Sequence, residues 1–349
     1  MTVKDQLITN DYAIYNGDCI EGMRNLPDES IHLTIYSPPF AGLYQYSSDE
    51  RDMSNCIDHD EFFEHYGYCI DEIARLTPPG RISAVHCMDI PLSNSGCDEM
   101  FDLPGRIIEE HRKRGFAYGG RRTIWKEPLL VRNRTMMKSL HHSTLCEDST
   151  RNSIANADFL LMFRKRGDNK VPVAHNEGLL SYAGEDQPPT ELLRFRGMKG
   201  DQKLNQYSQY IWRRYASSVW KDVRIDRVLP HRKAKGDEDE KHVHPLQLDV
   251  IERAVVMWSN PGEVVLTPFM GVGSEVFGAV LNKRKAIGFE LKPSYFAQAV
   301  ANLQTIEDSP TLLQTGSLFD SFGDEDEGEG DDEDGKETLS EDEHEFSAN

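Results

Sequence analysis

The chain of 349 residues lacks the features of a membrane-embedded or secreted protein. It has no apolar run long enough to cross a bilayer, and its N-terminus has neither the basic start nor the apolar core of a signal peptide. Its six cysteines include no Cys-x-x-Cys pair, which favours reduced thiols in a cytoplasmic compartment. The adjacent pairs His86-Cys87 and His141-His142 have no partners at zinc-ligand spacing, so we expect no metal site.

The sequence also lacks a uniform charge, although its net charge is −20. Residues 320–349 contain 15 acidic residues and one lysine, and this low-complexity segment is predicted to be disordered. Residues 103–235, in contrast, contain 27 Lys and Arg against 14 Asp and Glu. A basic middle segment in an acidic chain is typical of a protein that binds a polyanion, although the same composition also suits a solvated surface of ion pairs.

The most informative stretch is Ser37-Pro38-Pro39-Phe40, which follows a short run of β-branched and aromatic residues at 31–36. That run predicts a buried strand, and two consecutive prolines must end it because they lack N–H groups and fix φ. The C-terminal edge of strands in an α/β sheet is where ligands bind. A hydroxyl, a rigid carbonyl and an aromatic ring there suit a flat ring that carries an amino group. From these four residues alone, a proline-rich turn after a strand is the favoured interpretation.

Strand-like and helix-like segments alternate along the chain, which predicts an α/β fold with a doubly wound, mostly parallel sheet. The predicted strands before residue 167 cover residues 12–15, 31–36, 81–88, 122–125 and 158–164, the last two as a pair. The predicted helices there cover residues 60–76 and 103–115. Residues 167–240 have weak periodicity and many Arg, Tyr and Trp residues, so this segment is the candidate for an inserted recognition region.

Regular periodicity returns after residue 244 with a β-α-β pattern. Pro245 is predicted to begin a helix, and a strand at 263–266, a glycine turn, a helix at 275–282 and a strand ending at Glu290 follow. The turn lacks a third glycine, because Val276 stands there, and it lacks the Gly-Lys-Ser/Thr of a phosphate-binding loop. It therefore suits a nucleoside that carries a zwitterionic amino acid better than a pyrophosphate. Glu290 is placed to bind two ribose hydroxyls.

Four segments in this order resemble the motifs of amino-group DNA methyltransferases, the S-adenosylmethionine-dependent enzymes that methylate adenine N6 or cytosine N4. Ser37-Pro38-Pro39-Phe40 is similar to their (Asp/Asn/Ser)-Pro-Pro-(Tyr/Phe) catalytic motif, and Pro268-Phe269-x-Gly271-x-Gly273 to their cofactor loop. Asn16-Gly17-Asp18 resembles the segment that contacts the cofactor's adenine, and His244-Pro245-x-Gln247 resembles the stretch before the cofactor loop. The catalytic motif comes first, which is the β-group order common among phage and prophage enzymes.

The resemblance implies a seven-stranded methyltransferase sheet and a division of the chain. The expected parts are a catalytic half at 1–166, a target-recognition insertion at 167–240, a cofactor-binding half at 241–306 and an acidic tail at 307–349. The implied catalytic residues are Ser37, Pro38, Pro39 and Phe40. The implied contacts of S-adenosyl-L-methionine are a larger set: Asn16, Gly17, Asp18, His244, Thr267, Pro268, Phe269, Gly271, Gly273, Ser274 and Glu290.

The resemblance implies double-stranded DNA as the substrate. It also implies a location in the cytoplasm of a bacterium or of a phage-infected host cell, and no membrane partner. An exocyclic amine is a poor nucleophile because its lone pair is delocalised into the ring. The resemblance implies that Ser37 and the Pro38 carbonyl accept its hydrogens, while Phe40 stacks on a base flipped out of the duplex. Neither a metal nor a covalent intermediate is expected. Whether the protein forms a homodimer is left open, and no paired nuclease is inferred.

Two positions depart from the family pattern. Thr267 replaces an Asp that steadies the methionine end of the cofactor, and Ser274 replaces a Thr. A leading Ser in the catalytic motif is more frequent in cytosine-N4 enzymes, but this correlation is loose and leaves the target base open. An RNA or protein methyltransferase is one alternative. A catalytically inactive DNA-binding relative, suggested by Thr267, is the other.

Overall fold

The structure, a computed structural model, describes residues 3–39, 51–92, 99–135, 139–151, 153–231, 234 and 245–308. The strands in these ranges are β1 (Asp5–Ile8), β2 (Tyr12–Asn16), β3 (Leu33–Tyr36), β4 (Ile82–Cys87), β5 (Ile90–Leu92), β6 (Glu99–Phe101), β7 (Phe116–Ile124), β8 (Asp158–Lys165), β9 (Val219–Trp220), β10 (Val264–Thr267) and β11 (Lys285–Glu290). The α-helices are α1 (Cys19–Met23), α2 (His59–Leu76), α3 (Leu103–Lys113), α4 (Pro128–Thr135), α5 (His142–Asp148), α6 (Gln206–Tyr215), α7 (Leu248–Trp258), α8 (Ser274–Leu281) and α9 (Pro293–Asp308).

The main sheet has nine strands in the order β1-β2-β11-β10-β3-β4-β8-β7-β9. Its centre, from β2 to β4, is parallel throughout, and β8 pairs antiparallel with both β4 and β7. The expectation of a mostly parallel sheet is confirmed, but the expected number of seven strands is too low. The short strands β1 and β9 each extend one edge, and neither carries a long apolar run that would have predicted it.

Helices cover the main sheet on both faces, which confirms the doubly wound α/β fold. Buried residues of α1, α2 and α3 pack with one face, and those of α7, α8 and α9 pack with the other. Successive side chains of a strand point to opposite faces. Leu33 and Ile35 of β3 therefore join the core under α7–α9, whereas Tyr36 joins the core under α2. Because both faces are covered, all four residues of β3 are buried.

Local sequence signals account for the ends of several elements. The side chain of Asp58 accepts a hydrogen bond from the backbone N–H of Glu61 at 2.9 Å, which caps the start of α2. The helix ends at Leu76, just before Pro78, which is close to the predicted helix at 60–76. The predicted strand pair is present as β7 and β8, and β7 is longer than predicted.

The predicted helix start at Pro245 is wrong. Helix α7 begins at Leu248, and Gln247 before it has an extended backbone with ψ of 133°. The reason is a tertiary contact, because the N–H of Leu248 donates to the carbonyl of Arg227 at 3.0 Å. Leu246, which the sequence placed on the buried stripe of the helix, is buried in the core just ahead of it.

Residues within 167–240 pack in two places. Leu179, Tyr182, Tyr207, Ile211 and Tyr215 form a small apolar cluster around α6. Further along, β9 joins the edge of the main sheet, and Trp220, Val223 and Leu229 are buried in the core under α7–α9. The division of the chain into a catalytic half, an insertion and a cofactor-binding half stays a prediction. The expected acidic tail, 307–349, overlaps the last two residues of α9, and the rest of it, from 309 onward, lies outside the described ranges.

Some of the basic residues that the sequence assigned to a polyanion surface are structural. Arg224 and Arg227 both bind the buried carboxylate of Asp249 in α7, each with an N–O distance of 2.6 Å. In α7, outside that basic segment, the guanidinium of Arg253 is fully buried among three aromatic rings and binds Asp222 at 3.0 Å. These ion pairs join the segment before residue 231 to α7, so its positive charge is only partly available to an external partner.

No helix in the described ranges is both long and apolar enough to cross a bilayer.

Candidate active site

The candidate site is an open cavity at the C-terminal edge of the parallel strands. Strands β3 and β10 are neighbours in the sheet, with Leu33 opposite Val265, and they run in the same direction. The Ser37-Pro38-Pro39 segment follows β3, and the glycine turn follows β10. Two segments that are far apart in the sequence therefore meet at one edge of the sheet, as ligand sites in open α/β sheets do.

Most of the site residues expected from the sequence line this cavity: Gly17, Asp18, Ser37, Pro38, Pro39, Pro268, Phe269, Gly271, Ser274 and Glu290. Asn16, Thr267 and Gly273 lie next to lining residues but do not line the cavity themselves. Phe40 and His244 lie outside the described residues. Residues that the sequence did not select also line it, among them Pro245, Leu246, His86 and Glu275.

The glycine turn is built around backbone conformations that favour glycine. Gly271 has φ of +54° and Gly273 has φ of +93°. A Cβ on Gly273 would also lie 3.2 Å from the Cβ of Ala299 in α9, so the turn is packed closely against that helix. The N–H of Met270 donates to the carbonyl of Phe289 at 2.8 Å, which ties the turn to the end of β11. The turn is therefore a fixed part of the cavity wall.

Glu290 is oriented by the backbone of the glycine turn. Its carboxylate accepts hydrogen bonds from the N–H groups of Gly271 and Lys292, both at 2.8 Å. Burial nevertheless raises the pKa of Glu290 to about 7, and these two hydrogen bonds oppose that shift. The group is thus close to the point at which it gains or loses a proton at neutral pH.

Asn16 and Asp18 have structural partners at the end of β2. The side-chain amide of Asn16 donates to the carbonyls of Glu290 at 2.7 Å and Leu291 at 3.1 Å, so it fixes the chain beyond Glu290. Asp18 caps α1 by accepting a hydrogen bond from the backbone N–H of Glu21 at 2.8 Å. Asn16 therefore positions the cavity wall, while Asp18 and Gly17 form part of it.

Three polar side chains beside the glycine turn are buried, and two of them have no protein partner. The hydroxyls of Thr267 and Ser274 accept and donate no hydrogen bond within the described part of the chain. Glu275 is 4% exposed and forms no ion pair with any described residue. Burial raises its pKa to about 8, and the nearby Glu290 adds to the shift. Buried polar groups without partners destabilise the folded protein, so this arrangement indicates a ligand site.

Sequence reasoning missed Glu275. Its signal was present, because Glu275 is the one charged residue at the start of the otherwise apolar stretch Val276-Phe277-Gly278-Ala279-Val280. An acid on a helix that is buried along its length is rarely tolerated without a function.

Opposite the glycine turn, Ser37 begins a chain of hydrogen-bonded polar side chains. Ser37 Oγ lies 2.9 Å from Nδ1 of His86, and Nε2 of His86 lies 2.9 Å from Oδ2 of Asp158. The ammonium of Lys126 lies 2.6 Å from the same Asp158 oxygen. Burial alone would raise the pKa of Asp158, but Lys126 and His86 outweigh it and hold that pKa well below its usual range.

Strand register brings these four residues together. Tyr36 of β3 is opposite Val85 of β4, so the next residues, Ser37 and His86, are also neighbours. His86 is opposite Leu160 of β8, and Asp158 lies two residues away on the same face. Sequence reasoning missed His86, Asp158 and Lys126, because they belong to three separate segments and only the antiparallel pairing of β8 connects them.

The arrangement suits polar catalysis on a ligand that brings its own positive charge. Among the described residues, no group of three or more His, Cys, Asp or Glu side chains could hold a metal ion. One wall offers a hydroxyl with a histidine behind it, and the other offers buried carboxyls and hydroxyls.

Comparison with known proteins shows the family to which the chain belongs. The family model described as DNA methylase matches residues 31–301. The Type II methyltransferase M.BamHI of Bacillus amyloliquefaciens is 24% identical over 290 residues, which are 83% of this chain and 56% of that protein. The chain thus spans little more than half the length of that relative. The DNA adenine methyltransferase YhdJ of Escherichia coli K12 is 21% identical over 293 residues, which are 83% of this chain and 82% of YhdJ.

Among solved structures, a candidate DNA modification methylase of Thermus thermophilus, complexed with S-adenosyl-L-methionine, matches with a TM-score of 0.55 and 21% identity. The match covers 86% of this chain and 96% of that one, and it shows a shared fold. Because the family model spans most of the sequence, the chain belongs to the DNA methylase family.

Proposed function

We propose that this DNA methylase transfers a methyl group from S-adenosyl-L-methionine to an exocyclic amine, N6 of adenine or N4 of cytosine, in duplex DNA. The observation that carries the proposal is the placement of Ser37-Pro38-Pro39 and the glycine turn on neighbouring parallel strands, lining one cavity. A methyl donor and an amine acceptor must meet within a few ångströms, and adjacent strand ends provide that distance.

The residues of the cavity fit the proposed cofactor. Glu290, with its carboxylate already oriented, would bind the ribose hydroxyls. S-adenosyl-L-methionine carries an ammonium and a sulfonium. The buried carboxyl of Glu275, which forms no ion pair with a described residue, suits those charges together with the unpartnered hydroxyl of Ser274. Glu275 would thereby supply the negative charge that Thr267 cannot. When bound, the cofactor supplies an electrophilic methyl group.

The catalytic residues would act on the amine of the base. Ser37 Oγ and the Pro38 carbonyl would each accept one amine hydrogen, which draws the nitrogen toward a tetrahedral geometry and frees its lone pair. The contribution of these residues is positioning and fixed polarity, without a covalent intermediate. We propose that Phe40, which follows them in the sequence, stacks on the base.

The base must leave the duplex to reach this edge of the sheet, at a cost of a few kcal/mol. Stacking on Phe40 would offset part of that cost, about 1–3 kcal/mol. We propose residues 167–240 as the recognition region. This segment keeps exposed cations that are not used by the ion pairs to α7, and these suit phosphate contacts: Arg194, Arg196, Lys203 and Arg213.

The test is incubation of the purified protein with duplex DNA and methyl-labelled S-adenosyl-L-methionine. Mass spectrometry of the digested nucleosides should detect N6-methyladenine or N4-methylcytosine, and modification-sensitive sequencing should then give the target site. Ser37→Ala serves as the matched inactive variant. Label found only in RNA or protein would replace the proposal with the corresponding methyltransferase. Absence of cofactor binding in a titration would leave a DNA-binding protein without this activity.

A further inference from the structure

We propose that His86, held by Asp158 and Lys126, fixes the direction of the Ser37 hydroxyl and takes the proton that methyl transfer releases. The inference rests on the proposed function and adds to it residues that lie outside the Ser-Pro-Pro motif. It makes His86 a positioning residue and a proton acceptor that acts on the substrate through Ser37.

The four residues form one continuous line from the cavity into the protein. Ser37 and His86 line the cavity, and Asp158 lies behind His86 with a side chain that is 4% exposed. The side chain of Lys126, which is 14% exposed, is the last of the four and lies next to Asp158. The three successive distances, 2.9, 2.9 and 2.6 Å, are all within the range of good hydrogen bonds.

The protonation state of each group follows from the next one in the line. The Lys126 ammonium keeps Asp158 ionised, so the Asp158 carboxylate can only accept hydrogen bonds. Nε2 of His86 must then carry a hydrogen and donate it to Asp158. In the neutral imidazole this leaves Nδ1 without a hydrogen, so Nδ1 accepts the hydrogen bond that the Ser37 hydroxyl donates.

This order has a direct consequence for the substrate. Because the Ser37 hydrogen points to His86, Oγ presents lone pairs to the cavity and is an acceptor there. A serine without this neighbour would rotate freely and donate its hydrogen for part of the time. An amine that must lose electron density from its N–H bonds benefits from a fixed acceptor.

The same series of hydrogen-bonded side chains accounts for the proton that the reaction releases. As the nitrogen–methyl bond forms, the carbon–sulfur bond of the sulfonium breaks and its electron pair stays on sulfur. The nitrogen then has one hydrogen too many and carries the positive charge. Ser37 Oγ accepts that proton while its own hydrogen passes to Nδ1 of His86, which becomes an imidazolium beside the Asp158 carboxylate. His86 returns the proton to solvent after the product leaves.

In any pH experiment, the effect of His86 on the rate must be distinguished from the effects of the other titratable groups around the cavity. Glu275 and Glu290, with pKa values of about 8 and 7, lie on the cofactor side and affect cofactor binding. Saturation with cofactor removes their influence from a single-turnover rate. The charged groups next to His86 are Asp158 from β8 and, behind it, Lys126 just after β7, and Asp18, Arg51, Asp52 and Lys292 line the same cavity.

The first experiment measures the tautomer and needs neither cofactor nor DNA. Long-range 1H–15N spectra of the histidine-labelled protein, with His86 assigned by its loss in His86→Gln, should show a protonated Nε2 and an unprotonated Nδ1. Ser37→Ala should shift the Nδ1 signal, because its hydrogen-bond donor is gone, and leave Nε2 unchanged. A protonated Nδ1 in the wild-type protein would overturn the proposal even if the protein is an active methyltransferase.

The second experiment measures the rate of single-turnover methyl transfer as a function of pH. The wild-type rate should fall as His86 becomes protonated. His86→Gln should be slower by about 10²-fold, the lower end of the usual effect of losing a proton acceptor, and lose this acidic limb. His86→Asn keeps an acceptor near the Nδ1 position but cannot take a proton, so its rate should lie between the two and also be flat at acidic pH.

His32→Gln is the matched control, because His32 is a half-buried histidine just before β3, at the opposite end from Ser37. It should keep the wild-type rate and the acidic limb. Wild-type behaviour of both His86 variants would refute the relay while leaving the methyltransferase proposal intact. A wild-type protein that methylates no DNA refutes the proposed function instead, and the tautomer measurement then still decides whether His86 orients Ser37.

Discussion

The two walls of the cavity differ in whether their polar side chains have partners within the protein. On the catalytic wall, Ser37, His86 and Lys126 each have a polar partner within the protein. On the cofactor wall, the hydroxyl of Ser274 has no hydrogen-bond partner and the buried carboxyl of Glu275 has no cationic partner among the described residues. The hydrogen bonds of the catalytic wall are therefore formed without a ligand, whereas we expect the polar groups of the cofactor wall to gain partners when the ligand binds.

This difference separates the roles that the walls can play. Groups that are already hydrogen-bonded act without reorganisation, which suits residues that must stabilise a transient charge. Buried groups that lack partners lower the stability of the free protein and recover it on binding, which couples ligand affinity to folding. Substitutions on the first wall should therefore change turnover, and those on the second wall should change cofactor affinity and stability in opposite directions.

The largest expected effect is that of Ser37→Ala. It removes the acceptor for the amine, so the methyl-transfer rate should fall by about 10²–10³-fold, the usual loss for one such polar contact. Cofactor affinity should stay within about twofold of wild type, because the substitution leaves the cofactor wall intact. Single-turnover kinetics and calorimetric titration measure the two quantities.

Ser83→Ala is its control, since Ser83 is a buried serine on β4 that does not line the cavity. It should retain the wild-type rate. A Ser37→Ala variant that turns over as fast as Ser83→Ala would remove Ser37 from the catalytic wall.

The next effect is that of Glu275→Gln. The amide lowers affinity for a cationic cofactor by about tenfold, the value of one charge-assisted interaction. It also removes a buried carboxyl whose folded pKa of about 8 is above the ordinary value of 4.5. That carboxyl stabilises the fold fully only below pH 4.5 and loses this contribution as the pH rises toward 8. The variant should therefore be more stable than wild type by on the order of 1–3 kcal/mol near neutral to alkaline pH.

Wild-type cofactor affinity should rise over the same pH interval, because ionised Glu275 attracts the cofactor, and Glu275→Gln should lose most of that rise. Glu110→Gln is the matched control. Glu110 is 7% exposed, against 4% for Glu275, and binds Lys113 and Arg114, which hold its pKa below the usual value against the effect of burial, so its substitution should destabilise the protein. Equal loss of stability in both variants would contradict the distinction between the walls.

The smallest effect is expected for Thr267→Val. The Thr267 hydroxyl is buried without a partner in the described ranges, so replacing it by a methyl group should leave the free energy of unfolding within about 0.5 kcal/mol. If the hydroxyl binds the methionine end of the cofactor, affinity should fall by about threefold to tenfold. Thr34→Val removes a similarly buried hydroxyl from β3, away from the cavity, and should leave affinity unchanged. Identical affinities in both variants would exclude Thr267 as a cofactor ligand.

Much of the fold could be predicted because its signals are local. The β-α-β unit around the glycine turn, helix α2 and the paired strands β7 and β8 all have the predicted type and order. The start of α7 was predicted too early because it depends on a tertiary contact, in which the N–H of Leu248 donates to the carbonyl of Arg227. The edge strands β1 and β9 were missed because β1 is partly polar and largely exposed and β9 has only two residues, so that pairing with a neighbouring strand defines both.

The sequence by itself determined the Ser-Pro-Pro corner and the glycine turn. Proline cannot continue a strand and glycine alone adopts positive φ readily, so these residues report their own conformation wherever they stand. Only the tertiary structure decided what surrounds them. His86, Asp158 and Lys126 are ordinary residue types at ordinary positions, and the registers of β3 with β4 and of β4 with β8 bring them to Ser37. Glu275 likewise gains its raised pKa from burial, because water is excluded only once α8 packs onto the sheet.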